Sequence, residues 1–248
     1  MIDIHAHILP GVDDGSPSME ASVEMARLAL ESGVRAMIAT PHCDLPGEGC
    51  VAARDIPLRV DILTQALREA NLPLRIYRGM EIFGTPETAA RLKSGALCTL
   101  ASSRYPLIEF PFSDYGQQAT EILRSVRRLG LRPIVAHPER YAYTQAEPTL
   151  LNTWVKIGCL LQINRGSMLG RFGERAETLA HRMLERGFVS FVASDAHSPT
   201  IRTPWMRDAA AFLLREYPSE LAWKLLDQNP RCVLHDTIIE IDEPKWFD

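Results

Sequence analysis

Residues 1–16 read MIDIHAHILPGVDDGS, and their alternation sets the terms for the rest of the chain. Run as a β-strand, this segment points Ile2, Ile4, Ala6 and Ile8 one way and Asp3, His5 and His7 the other, because successive strand side chains face opposite sides. One face is apolar. The other carries two imidazoles side by side, with Asp13 and Asp14 just behind them. A His-x-His pair alone is matched equally well by a solvent-facing edge strand, so the rest of the chain decides.

Working outward, short apolar runs alternate with amphipathic ones. Strand-like runs cover 2–5, 35–40, 74–81, 106–110, 133–137, 159–164 and 188–194. Helical patterns cover 19–32, 56–70, 86–94, 117–129, 149–157 and 174–186. Several helices stop at a glycine before a new apolar run, at Gly33, Gly130, Gly158 and Gly187, where a residue without a Cβ relieves the left-handed exit. More helix is expected over 205–227, and 233–241 alternates loosely, as a short strand or an extended cover. Seven strands with helical crossovers predict a parallel α/β fold. With no Gly/Ser/Pro-rich linker, repeat or low-complexity segment, a single domain over 1–248 is expected.

An open doubly wound sheet would gather its chemistry at one switch point, a closed barrel at the C-terminal ends of many strands. The candidate ligands favour the barrel. His5 and His7 end the first run, with Asp13 or Asp14 in the loop behind; His42 follows the second; Glu81 closes the third and Glu109 ends the fourth. His137 ends the fifth, and Asp195 and His197 follow the seventh. The sixth offers only Asn164 and Arg165. Histidines and carboxylates beside apolar strands are costly unless paired or metal-bound. Unrelated ion pairs would not all fall at the same end of their strands. Nine such donors are too many for one ion and suit two or three that share a carboxylate. Imidazole and carboxylate without a thiolate cluster point to manganese, iron or zinc, rather than calcium or magnesium.

Bulk properties narrow the function classes. The apolar share of 46% and charged share of 23% are those of an ordinary soluble protein. A net charge of −4 gives no general attraction for nucleic acid or anionic lipid, so an anionic substrate must meet local positive charge. No run is long enough to span a membrane and no leader pattern opens the chain, so a cytoplasmic protein is expected. Five scattered cysteines without a Cys-x-x-Cys pair fit reduced thiols. Cys159 reads as core, and Cys43, next to His42, as a weak candidate for chemistry.

Taken together, His5-Ala-His7, Asp13-Asp14-Gly15, Thr40-Pro-His42, Gly79-Met-Glu81, Ala136-His137-Pro and Ser194-Asp195-Ala-His197 resemble the polymerase-and-histidinol-phosphatase (PHP) superfamily. The opening phrase and His137-Pro138-Glu139-Arg140-Tyr141 resemble its bacterial tyrosine-phosphatase branch, which accompanies capsule and exopolysaccharide machinery. The likeness spans residues 1 to about 205. It implies a distorted seven-stranded parallel (β/α)7 TIM-like barrel. It also implies a trinuclear site: His5, His7, Glu81 and Asp195 around one ion; Glu81, Glu109 and His137 around a second; Asp14, His42 and His197 around a third. By position Asp14 is the ligand of the aspartate pair, and Asp13 supports the loop. Glu109 stands where most of the superfamily has a histidine, as in the phosphatase branch.

The resemblance further implies a phosphomonoester hydrolase in which a metal-activated hydroxide attacks phosphorus in line, with no phosphocysteine. Arg140 and Arg202 are the expected phosphate-binding catalytic residues, since guanidinium pairs two phosphate oxygens at once, with Arg165 a weaker third. The implied substrate is phosphotyrosine on a bacterial tyrosine autokinase. Phe83, Phe112, Tyr115, Tyr141 and Tyr143 are candidates for lining a phenyl slot, and the stretch 44–55 departs from the family pattern. Three alternatives stay open: a histidinol-phosphate or sugar-phosphate phosphatase with the same metals, an exonuclease module, and a non-catalytic binding module that keeps its metals. The acidic balance weighs against the exonuclease.

Overall fold

In the computed structural model, which describes residues 1–43 and 51–248, the seven expected apolar runs appear as nine strands. They are β1 (Ile2–Ala6), β2 (Ala36–Ala39), β3 (His42–Cys43), β4 (Arg75–Arg78), β5 (Glu81–Phe83), β6 (Leu107–Glu109), β7 (Ile134–Ala136), β8 (Leu160–Asn164) and β9 (Phe191–Ala193). All pair in parallel, in a three-stranded sheet ordered β1-β2-β4 and a six-stranded sheet ordered β3-β5-β6-β7-β8-β9. The two extra strands arise at Pro41, just past the run 35–40, and at Gly79, inside the run 74–81. Pro41 has no N–H to give a ladder and separates β2 from β3. Gly79 separates β4 from β5 where the backbone passes so close to β2 that a Cβ would lie 2.7 Å from Ile38 Cγ2.

Backbone bonds carry the sheet across these breaks: Glu81 N donates to Pro41 O at 3.1 Å and Thr40 N to Ala6 O at 2.9 Å. The last segment returns to the first, with Asp195 N donating to His5 O at 2.9 Å and His7 N to Ala196 O at 2.8 Å. The buried Asp3 carboxylate reinforces that seam by accepting from Ser194 N and Ser194 Oγ.

Helices Met19–Glu31, Ile56–Glu69, Thr88–Ser94, Gly116–Arg127, Thr149–Lys156 and Glu174–Glu185 stand where their periodicity placed them. Ser18 caps the first by accepting from Ala21 N. Their apolar stripes and the outer sheet face form the larger core, in which Ile108, Val135, Leu161 and Ile163 meet Leu123, Val126, Leu179 and Met183. A smaller cluster includes Leu107, Ile134, Leu160 and Phe191. By the two-residue repeat, Leu107 shares its face with Glu109, and Leu160 with Gln162 and Asn164. That face is therefore apolar toward the strand starts and polar toward their ends.

The C-terminal stretch is helical over Arg207–Glu216 and Ser219–Trp223, as expected, and continues to Asn229–Leu234. The tail beyond forms no strand and is an extended cover. Ile239 is buried in the smaller cluster, and Tyr105 Oη donates to Thr237 O at 2.6 Å. Among the described residues no helix is long and apolar enough to cross a membrane.

Candidate metal centre

Eight of the nine expected donors converge at the polar ends of the strands, in three groups whose ligand atoms lie within 4.8 Å of one another: His5, His7, Glu81 and Asp195; His7, Asp14, His42 and His197; and His42, Glu81 and Glu109. His7, His42 and Glu81 each belong to two groups. This differs from the expected partition in two places, the first being that His7 also joins Asp14, His42 and His197. His42 joins Glu81 and Glu109 where His137 was expected, with its Nδ1 2.9 Å from Glu109 Oε1 and 3.2 Å from Glu81 Oε2. His137 instead places Nε2 3.0 Å from Glu81 Oε1, outside the three groups.

Neighbouring groups set the direction of each donor. Asp195 Oδ2 only accepts, so it takes Asn164 Nδ2–H at 2.6 Å and leaves Asn164 Oδ1 to accept from Gln162 Nε2 at 2.8 Å. Gln162 then presents Oε1 to His5 Nδ1 at 2.9 Å, which puts the proton on Nδ1 and leaves the Nε2 lone pair facing the centre. The sixth run, which had no ligand to offer, thus supplies a buried amide relay between two ligands of one group. Asp13 does the same for His7, accepting from Nδ1 at 2.8 Å and also from His42 N and Gly15 N at 3.0 Å each. Gly15 is required there, since a Cβ would lie 2.4 Å from His7 O. His197 Nδ1 donates to Asp195 O at 3.0 Å.

The result is a set of buried lone pairs aimed at one another. His5 Nε2 and His7 Nε2 are 3.3 Å apart, and Glu81 Oε2 is 3.1 Å from each. Glu81 Oε2, Glu109 Oε1, His42 Nδ1 and His197 Nε2 are all buried without a hydrogen-bond partner. Such atoms carry a large desolvation cost unless a cation lies between them. The donor set therefore fits divalent ions held by nitrogen and oxygen. Two donors, His137 and Asp195, also hold left-handed backbone, at φ 33° and 50°, a strain concentrated at the centre.

Electrostatics follow burial. Burial, with the Glu81 charge beside it, pushes the Glu109 carboxyl up to about 7. Burial draws His137 down to about 4. For His42 burial opposes the proton, but Glu81 and Glu109 outweigh it and carry the imidazole up to about 9. Asp14, the most open of these donors with 45% of its side chain exposed, is held down at about 2 first by the His197 imidazole, whose Nε2 lies 3.3 Å from its Oδ1.

Arg140 and Arg202 both reach the centre. Arg140 Nη1 lies 3.3 Å from Asp195 Oδ2, and Arg202 Nη2 pairs with the same oxygen. Arg165 does not: its Nε and Nη2 grip the Asp208 carboxylate at 2.6 Å each, and Nη1 donates to Thr203 O. Of the five candidate aromatics, Phe112 is the exposed one beside the donors, stacked on His137 at 5.9 Å. Tyr141 is buried and structural, donating to Ala136 O and accepting from Phe110 N. Phe172, which the sequence pattern did not single out, stands against both arginines. The stretch 44–50 lies outside the described residues.

The Cys-x5-Arg spacing of thiol phosphatases occurs twice, at Cys98–Arg104 and Cys159–Arg165. Neither forms a phosphate loop. Strand β8 holds Cys159 and Arg165 at opposite ends, and Arg104 is paired with Asp236. Burial raises the two thiols to about 12 and about 11, so both stay protonated and weakly nucleophilic.

With the geometry in place, similarity to known proteins can be weighed. The family described as capsular polysaccharide synthesis, CpsB/CapC, matches residues 1–235. The tyrosine-protein phosphatase YwqE of Bacillus subtilis is 35% identical over 247 residues, covering 99% of this chain and 96% of that one. A crystal structure from work on YwqE of Bacillus subtilis and CpsB of Streptococcus pneumoniae, described as metal-dependent tyrosine phosphatases, superposes with a TM-score of 0.95 at 34% identity over the whole of both chains. Histidinol phosphate phosphatase of Lactococcus lactis, solved with zinc, L-histidinol and phosphate, shares the fold at a TM-score of 0.59 and 14% identity, covering 91% of this chain and 94% of that one.

Proposed function

This chain belongs to the CpsB/CapC family of capsular polysaccharide synthesis, and from that premise we propose that it is a metal-dependent tyrosine-protein phosphatase. The observation that carries this reading is Asp195. Its Oδ1 faces His5 Nε2 and His7 Nε2 at 3.4 and 3.5 Å, while its Oδ2 holds Arg140 and Arg202. One carboxylate thus places two guanidiniums at the edge of a cation-binding cluster, the arrangement a phosphoryl group needs on its two sides.

The nine donors His5, His7, Asp14, His42, Glu81, Glu109, His137, Asp195 and His197 would hold two or three divalent ions, manganese first and iron or zinc as alternatives. Such ions neutralise phosphoryl oxygens and lower the pKa of a water nucleophile. The protein's own contribution is orientation. Arg140 and Arg202 pair the remaining phosphoryl oxygens, and Arg202 Nε is buried without a partner, ready to donate. The exposed ring of Phe112 offers a flat apolar face to a substrate phenyl group.

The substrate class is phosphotyrosine on a protein, with a bacterial tyrosine autokinase as partner and the cytoplasm as the compartment. The finer fold assignment is a distorted (β/α)7 barrel, supported by the backbone bonds that bridge both strand breaks and return the last segment to β1. The test is hydrolysis by protein loaded in turn with manganese, iron and zinc. A phosphotyrosine peptide is expected to turn over faster than histidinol phosphate. Faster turnover of histidinol phosphate would favour the small-molecule phosphatase, and no turnover with any metal would leave a binding module.

A further inference from the structure

The mouth of the centre carries a row in which rings and guanidiniums alternate: Phe112, Arg140, Phe172, Arg202. The Arg140 guanidinium carbon lies 4.8 Å from the Phe112 ring centre and 4.3 Å from that of Phe172. The Arg202 carbon lies 5.8 Å from the Phe172 centre. Among the described residues, Phe172 is thus the one ring that faces both guanidiniums. It sits between helices Arg165–Met168 and Glu174–Glu185, and is half-buried.

Its seat is shaped for it. A Cβ on Gly166 would lie 2.5 Å from Phe172 Cε2 and 3.1 Å from Cδ2 and Cζ, so the ring occupies the volume that any side chain at 166 would take. Arg165, immediately before, is clamped on Asp208, which fixes the backbone that forms the seat. An aromatic face attracts guanidinium through its quadrupole, so a ring fixed from behind restrains both cations in front of it. The carboxylate alone cannot do this, because both arginines converge on a single oxygen, Asp195 Oδ2. Two cations drawn to one point need a spacer if each is to meet a different phosphoryl oxygen.

We propose that Phe172, seated by Gly166, is a positioning residue that sets the spacing of Arg140 and Arg202 for a phosphoryl group. This rests on the phosphatase reading for its substrate, but not for its first measurement, which is the affinity for inorganic phosphate. The full chain is loaded with manganese, its metal content is measured, and phosphate is titrated into wild type, Phe172→Leu, Phe172→Tyr and Gly166→Ala. KM and kcat for a phosphotyrosine peptide are recorded alongside.

Phe172→Leu should weaken phosphate and raise KM about tenfold, with a smaller change in kcat and unchanged metal content. Phe172→Tyr should restore both to within about twofold. Gly166→Ala, which displaces the ring without removing it, should shift phosphate affinity in the same direction and serves if the leucine variant does not fold. Phosphate affinity equal to wild type in both Phe172→Leu and Gly166→Ala overturns the proposal, even if both variants melt earlier. Wild type that binds phosphate without hydrolysing any phosphomonoester overturns the enzymatic reading alone. Wild type that does neither overturns both.

Discussion

Two of the three donor groups meet at His7 but differ in how they are built. The group of His5, His7, Glu81 and Asp195 is fully buried, and both imidazoles are oriented from behind, by Gln162 and by Asp13. The group of His7, Asp14, His42 and His197 opens to solvent through Asp14, which comes from a loop. The difference teaches that one cluster of similar ligands can have a rigid floor and an adjustable rim. Preorganised, dehydrated donors bind a cation without reorganising, whereas an exposed carboxylate competes with water. A tightly held ion is therefore expected on the floor and an exchangeable one at the rim.

Removing all metal tests the largest effect. Dialysis against a chelator should lower phosphotyrosine hydrolysis by at least about a thousandfold, and metal analysis during dialysis should show loss in steps, rim first. Simultaneous loss of all ions would break the comparison. Next, His7→Ala should deplete both groups, because His7 serves both, whereas Asp14→Ala should remove one equivalent and leave the floor ion in place. Equal stoichiometries for the two variants would show that floor and rim are one unit.

Arg140→Ala should cut kcat/KM about a hundredfold with bound metal unchanged, since the guanidinium touches Asp195 but is outside the three donor groups. Gln162→Leu should weaken the floor ion by about tenfold to a hundredfold, measured by titration calorimetry, because His5 loses the acceptor that sets its tautomer. Gln162→Glu, which keeps an acceptor, should recover most of that affinity.

The smallest effect concerns stability rather than turnover. Glu139 is fully buried, and burial raises its carboxyl to about 7, above the roughly 4.3 of an unfolded glutamate. The native state then holds a proton that the unfolded state has released. The stabilisation is complete below the unfolded value and is lost as pH rises through about 7. In metal-free protein, Glu139→Gln keeps the acceptor for Asn164 N and Ser167 Oγ but has no proton to lose. Its stability relative to wild type should grow between pH 5 and 8, by as much as about 3 kcal/mol, as read by denaturant titration. A pH-independent difference would remove Glu139 from the buried titrating groups.

Much of this was legible before any coordinates. The six principal helices carried the helical repeat, four of them with the glycine stops noted above, and strands β6 to β9 fell within continuous apolar runs. The candidate donors were legible because polar, titratable residues interrupt apolar runs at the same end, as Glu109 and His137 do. The breaks at Pro41 and Gly79 were harder to see, because a β-like pattern continues through them while the pairing partner changes. The sequence pattern singled out neither Gln162 nor Phe172. Their roles depend on neighbours 157 residues away in one case and at the far side of the mouth in the other.

By itself, then, the sequence determined the alternating parallel α/β plan, the donors around the centre and the two arginines beside it, because periodicity and residue chemistry are local properties. Only the tertiary structure decided which donors share a group, which imidazole nitrogen faces inward, that His42 approaches both Glu81 and Glu109 while His137 approaches Glu81, and that two Cys-x5-Arg spacings form no phosphate loop. Those outcomes depend on distances of a few ångströms between strands far apart in the chain, and spacing along a sequence does not encode them.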